Sequence, residues 1–466
     1  MKKLYLTLLC TIAMASCSEE LLNLNPQTNN VSDNFFKNEE QIELGVTAAY
    51  ATLQYSGQYQ IANLVLGELP SDNTWDEVPA NDGGHCGQLD EFNMTSSNDV
   101  IAQSWQHNYI GIQQCNVVLN RIDGVTMDET KKKVVKGEMK FLRALMYFNL
   151  VRIFGDVPLV TQETTDTNAY FGQGRTPASE VYAQIVTDLT ESINELPAKV
   201  KEKSRASQSA AQALLGHVYL TLGEYAKAKQ QFQAVVSYGY RLLDNPDDIF
   251  DVANKGNDEV IFEVQFESGL NGNSEGSDAF RYFSPSGSVN GAKGHNLPTP
   301  EVYALFSDSD KRKSAYFRKT SVHVATNKLK QTSMVIEDGG SNVIVIRYAD
   351  VLLMMAECDA HLGNLPSAND WLNQVKSRAG VPLVNITDKE ALLDEIALER
   401  RKELVCEGKR WFDQIRTGKA IEVMTEYFSH TVGYNGVVVK PEYLIQPIPL
   451  SQIDCDPSIV QNIGYN

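Results

Sequence analysis

Gly272-Asn273-Ser274-Glu275-Gly276 spells GxSxG, the spacing of a nucleophile elbow. An elbow works only when a strand leads into the serine and a helix starts directly after it. Here Ser277-Asp278 and then Ser284-Pro285-Ser286-Gly287 follow, with no helical start, so the segment is expected to be a flexible loop and no residue is assigned a catalytic role. The seven histidines show no metal-ligand spacing. His217 and His361 lie in helical patterns and read as packing or surface residues. The chain contains no P-loop, no dinucleotide-binding glycine fingerprint, no HExxH and no EF-hand loop. Glu399-Arg400-Arg401-Lys402-Glu403, continued by Glu407, Arg410, Asp413 and Arg416, alternates sign at helical steps and reads as ion-paired structure. Residues 311–330 carry seven basic and no acidic side chains. They read as a solvated face, with a site for a sulfated or carboxylated ligand as the competing reading.

A neutral sugar asks for something else. A pyranose has an apolar CH face and a rim of hydroxyls, so it is held by flat aromatics beside amides and carboxylates. Trp75 is the tryptophan outside a helical pattern, and it follows Asp72-Asn73 in a long loop. This trio is the leading candidate site. Tyr282, Phe283, His295 and Asn296, in a second long loop, are weaker candidates. A metal is undecided: scattered loop carboxylates can assemble a calcium site without a local motif. No cofactor is expected.

The elements that must position these loops are helical. Val181, Ile185, Leu189, Ile193 and Leu196 recur at helical steps after Thr176-Pro177, and Thr387 with Glu390 suggests a capping box before another helix. Leu215-Gly216-x-x-Tyr219 followed by Ala228-x-x-x-Phe232 fits the tetratricopeptide template of small and large residues at a helix crossing. A second hairpin is expected from Leu352, Met355 and Ala356 with Ala368 and Leu372. Helices over 99–121 and 134–154 would stack on them. Residues 67–98 and 266–300 read as long loops, and 259–266 and 342–348 as short strands that pair locally. The expected fold is mainly α, a tetratricopeptide-like repeat scaffold with long loop excursions and a few short strands.

The 466 residues carry 41 basic and 59 acidic side chains, a net charge of −18. That balance argues against a nucleic-acid groove. Lys2 and Lys3, an apolar stretch from Leu4 to Ala15 and Ala15-Ser16-Cys17 resemble a lipoprotein signal, with acylation and cleavage at Cys17. Residues 1–16 are then the signal, 17–34 a lipidated tether, and 35–466 the body, with an N-terminal half over 35–257 and a C-terminal half over 258–466. Cys86, Cys115, Cys358, Cys406 and Cys455 remain, with no CxxC among them; Cys115, Cys358 and Cys406 sit in helical apolar patterns and are read as structural.

The segments GEMKFLRALMYFNLVRIFGDVPLV, RYADVLLMMAEC, IALERRKELVCEGKRWFDQIR, PIPLSQI and QNIGY resemble the SusD/RagB family, as do SWQHNYIGIQQCNVVLNRI and the lipidated start. The likeness runs in order from Cys17 to Tyr465. Met14, where the lipid signal usually has Leu, and Cys358 and Cys406 depart mildly from it. The resemblance implies a non-enzymatic, surface-exposed outer-membrane lipoprotein that captures a glycan, or in some members a peptide, for a SusC-like TonB-dependent transporter. It supplies no ligand-binding position, because ligand residues sit in the family's variable loops. The repeats alone would also suit an envelope assembly scaffold.

Overall fold

The computed structural model describes residues 35–465 apart from 167, 273, 332 and 435. The expected signal, the Cys17 anchor and the tether up to residue 34 lie outside the described residues. Helices begin where polar caps satisfy the first free backbone N–H groups. Asn38 caps α1 (Glu39–Ala51), Asn98 caps α2 (Asp99–Arg121), and Asp128 caps α3 (Glu129–Phe154). Pro177 leads into α4 (Ala178–Glu195), which buries Val181, Ile185 and Leu189 as the periodicity predicts. Ser207 caps α5 (Gln208–Thr221), which turns into α6 (Tyr225–Ser237). After a long excursion come α7 (Tyr348–His361), α8 (Leu365–Ala379), α9 (Lys389–Glu403), α10 (Arg410–Arg416) and α11 (Ala420–His430). The cap of α9 is Asp388, whose carboxylate accepts from Ala391 N at 2.9 Å. It lies one residue beyond the expected Thr387.

The hairpins form as the template predicts. Gly216 sits where any Cβ would run into the Phe232 ring, so α5 and α6 approach closely at the glycine while Ala228 and Phe232 are fully buried. The second hairpin, α7 with α8, buries Ala356, Ala368 and Leu372. The scaffold continues by neighbours, α2 on α3, α3 on α4, α4 on α5 and α6 on α7. The chain between Tyr238 and Arg347 interrupts the sequence of the repeat but not its stacking. No helix among the described residues is long and apolar enough to cross a membrane.

Six short strands among the described residues are arranged in pairs. β1 (Thr74–Trp75) pairs with β3 (Leu297–Pro298), β2 (Val260–Val264) with β6 (Val343–Arg347), and β4 (Phe317–Lys319) with β5 (Val324–Thr326), all antiparallel. The expected strands near 260 and 343 exist, but they pair with each other across the excursion rather than locally. Both are buried along their whole length, and β6 runs directly into α7, so this ladder ties the two ends of the excursion to the scaffold.

Charge also works at long range. Arg312, fully buried, is held by Asp310, Glu399 and Glu403. Glu403 also meets Arg347 and Arg378, and Arg400 bridges Asp350 and Asp413. Burial would push the Glu403 carboxyl up, but Arg378, Arg347 and Arg312 hold it well below the usual range. The 399–416 charges are thus structural as read, although most partners come from other elements rather than from the next helical turn. The basic run corrects its own reading. Arg312 and Lys328 point inward, Lys328 onto Glu407 at 2.6 Å, so these two charges serve the interior and not a solvated face or anionic ligand.

Candidate functional site

The two long loops meet at the β1–β3 pair, where Trp75 is the backbone partner of Leu297 and Thr74 of Pro298. Thr74 Oγ1 donates to Asn296 Oδ1 at 2.6 Å, and Thr299 N donates to the Asn73 carbonyl at 2.9 Å. All seven loop residues singled out in the sequence therefore belong to one joined structure.

Its base is fixed to α9 and α10. Asp72 receives Arg410 Nε at 2.9 Å, Arg401 at 2.9 Å and Gln414 Nε2 at 2.6 Å. Asn73 donates to Glu68 and accepts from Arg401 at 2.8 Å. Glu68 is fully buried and also accepts from the backbone of Cys406, Gly408 and Lys409. Burial would raise the Asp72 carboxyl, but Arg410 and Arg401 hold it below its ordinary range. Asp72 and Asn73 are buried and consumed by these bonds. Both residues clamp the loop to the scaffold.

The second loop divides similarly. Phe283, His295 and Asn296 are buried. His295 lies between two carboxylates, Nδ1 at 2.9 Å from Asp76 Oδ1 and Nε2 at 3.0 Å from Asp82 Oδ2. Burial would lower its pKa, yet the two aspartates raise it above the ordinary value. Asn296 holds a left-handed backbone, φ 52°, at the corner that turns the chain into β3. Tyr282 is half-buried, its hydroxyl 3.4 Å from Cys86 Sγ.

Trp75 alone among the first trio reaches the surface. The half-buried indole meets the His323 imidazole edge to face, centroids 5.2 Å apart and planes at 87°. Glu77 lies 3.6 Å from His323 and accepts from Ser286 N at 2.7 Å. Nearby in the joined loops, Arg318 stacks over Phe280 and donates to Ser284 Oγ at 2.9 Å. The sequence reading missed His323, Glu77 and Arg318. His323 and Arg318 sit in a segment marked only by its positive charge, and nothing local announces that the chain around β4 and β5 carries His323 to Trp75 and Arg318 to Phe280 and Ser284.

A second concave surface, a groove of about 500 Å³, lies between α2 and the chain near 158–160. Gln106, Gln114 and Gln452 line it beside Trp105 and Tyr109. The indole of Trp105 is buried, the Tyr109 hydroxyl donates to the Pro158 carbonyl, and Gln113 is bonded to Thr164, so much of its chemistry is spent on holding the loop.

Ser274 stands in an exposed turn, its hydroxyl donating to the Asn271 carbonyl at 2.9 Å, and the next helical turn starts only at Ala279. The strand–serine–helix geometry of an elbow is not formed. His217 is buried against Phe148, with its pKa lowered by burial, and His361 stacks on Tyr225 at 3.9 Å.

Residues 314–465 match the SusD family, and residues 20–220 match a family described as starch-binding and associating with the outer membrane. A SusD-like protein, P38, of Formosa agariphila is 26% identical over 98% of both chains. A solved laminarin-binding SusD-like protein is 30% identical, covers 92% of this chain and 100% of its own, and superposes with a TM-score of 0.79. A SusD superfamily structure from Parabacteroides distasonis is 26% identical, with a TM-score of 0.81 over 92% of this chain and 99% of its own.

Proposed function

The chain belongs to the SusD/RagB family, and from that premise we propose that it binds an oligo- or polysaccharide at the cell surface and passes it to a SusC-like TonB-dependent transporter. The reading places the protein on the outer face of the outer membrane, held by acyl chains on Cys17 after removal of residues 1–16, with 17–34 as a tether. Several acyl chains on one cysteine suffice for stable anchoring, at about 0.8 kcal/mol per buried methylene. The body over 35–466 acts as a binder with no turnover step, its 35–257 and 258–466 halves contributing one loop each to the site.

The observation that carries the ligand class is Trp75, a flat ring left half-open on a junction whose polar base is locked by Asp72 and Asn73. A rigidly mounted indole can stack on a pyranose face while Glu77 and His323 lie within reach of hydroxyls. The family's starch-binding description and the laminarin-binding relative support a glucan as the first ligand to test. Calorimetric titration with laminarin, starch and other plant and microbial glycans tests the reading. Binding of a peptide pool with no glycan response would move the ligand class to peptides.

A further inference from the structure

Behind Trp75 three donors of different chemistry converge. Asp76 leaves β1, Cys86 sits in the short helix His85–Asp90, and His295 precedes β3. All three are buried, and one ligand atom from each lies within 4.8 Å of the others. A tetrahedral zinc site, with bonds of about 2.0 Å to nitrogen and oxygen and 2.3 Å to sulfur, spaces its ligands about 3.3–3.8 Å apart, so small side-chain shifts would close this set.

We propose that Asp76, Cys86 and His295 bind a divalent cation of the zinc class, which cross-links the two loops that present Trp75. Asp76 Oδ1 accepts from Val78 N and meets His295 Nδ1, whereas no donor among the described residues reaches the buried Oδ2. A carboxylate oxygen stripped of water without a donor is costly, and a cation repays that cost. On the far side of the imidazole, Nε2 meets Asp82 at 3.0 Å, the carboxylate–histidine arrangement that orients metal-binding imidazoles. The Tyr282 hydroxyl lies 3.4 Å from Cys86 Sγ, and Asp90 fixes the Asp76 backbone by accepting its N–H at 2.9 Å. Asp76 and Asp82 make the surroundings negative, with Lys293 on Asp82 at 2.8 Å as the opposing charge. Thiol and imidazole donors favour zinc over calcium, which takes six to eight oxygens. On binding, the cation replaces the proton of the Cys86 thiol and the proton on His295 Nδ1, and both protons go to solvent.

The full chain in detergent, stripped by a chelator, is titrated with zinc(II) and separately with cobalt(II). The expected result is one equivalent of zinc per chain and, with cobalt, a thiolate-to-metal charge-transfer band. Cys86→Ala should abolish that band and weaken zinc at least 100-fold, and His295→Gln should weaken zinc similarly. Cys358→Ala, which removes a buried thiol on α7, should change neither. No zinc uptake by the unmutated protein, or uptake without a thiolate band under cobalt, overturns the proposal. Glycan affinity plays no part in these readouts, so the cation site and the glycan reading fail separately.

Discussion

Arg410 donates to Asp72 at 2.9 Å, joining the first turn of α10 to the residue two positions before β1. With Arg401 on the same carboxylate, this contact makes the platform under Trp75 part of the helical scaffold. It separates two roles that look alike in the sequence, since Asp72 and Asn73 hold the loop and Trp75 is what the loop holds out.

Replacing the holder should damage the fold. Asp72→Ala leaves two guanidinium groups, each mostly buried, without their carboxylate. Breaking a buried pair from one side costs about 3–5 kcal/mol. Urea unfolding should show a loss of that order, and Asp72→Asn, which keeps an acceptor, should lose less.

The helix crossing gives a packing test. A side chain at 216 collides with the Phe232 ring, and overpacking of this kind costs about 1–3 kcal/mol. Gly216→Val should lower the melting temperature, and adding Phe232→Leu, which makes room, should recover part of the loss.

Acid should act through the interior ion pairs. Burial would raise the Asp350 carboxyl, but Arg400 and Lys409 bring it down to about 2. A carboxyl depressed in the folded state binds its proton more readily when unfolded. Its stabilisation is complete above the unfolded value near 4 and disappears as pH falls toward 2. Asp350→Asn should therefore be less stable than the unmutated protein at pH 7, and the gap should narrow between pH 4 and pH 2 in urea titrations.

The helices were legible because their signal is local. Apolar spacing located α4 and both hairpins, and Gly216 with Phe232 announced a crossing. The strands near 260 and 343 were visible as apolar runs, but nothing in either run names its partner. Loop composition gives no sign that Asp72, Asn73, His295 and Asn296 are buried. Polar residues in a Gly- and Asn-rich stretch read as exposed, and their burial depends on Arg401, Arg410, Asp76 and Asp82, which the fold brings from elsewhere. Lys328 and Arg312 follow the same logic, since charge is local in sequence while its neutralisation is not. His323 could be joined to Trp75 only by knowing where β4 and β5 lie.

The central claim is that this scaffold presents Trp75 to a glycan, and calorimetric titration of the protein and its Trp75→Ala variant with laminarin, starch and a peptide pool tests it most directly. The account predicts glycan binding by the unmutated protein and affinity at least ten-fold weaker in the variant, a loss of about 1.4 kcal/mol or more, with an unchanged melting temperature. Binding of peptides but no glycan, or glycan affinity equal in the two proteins, would contradict it.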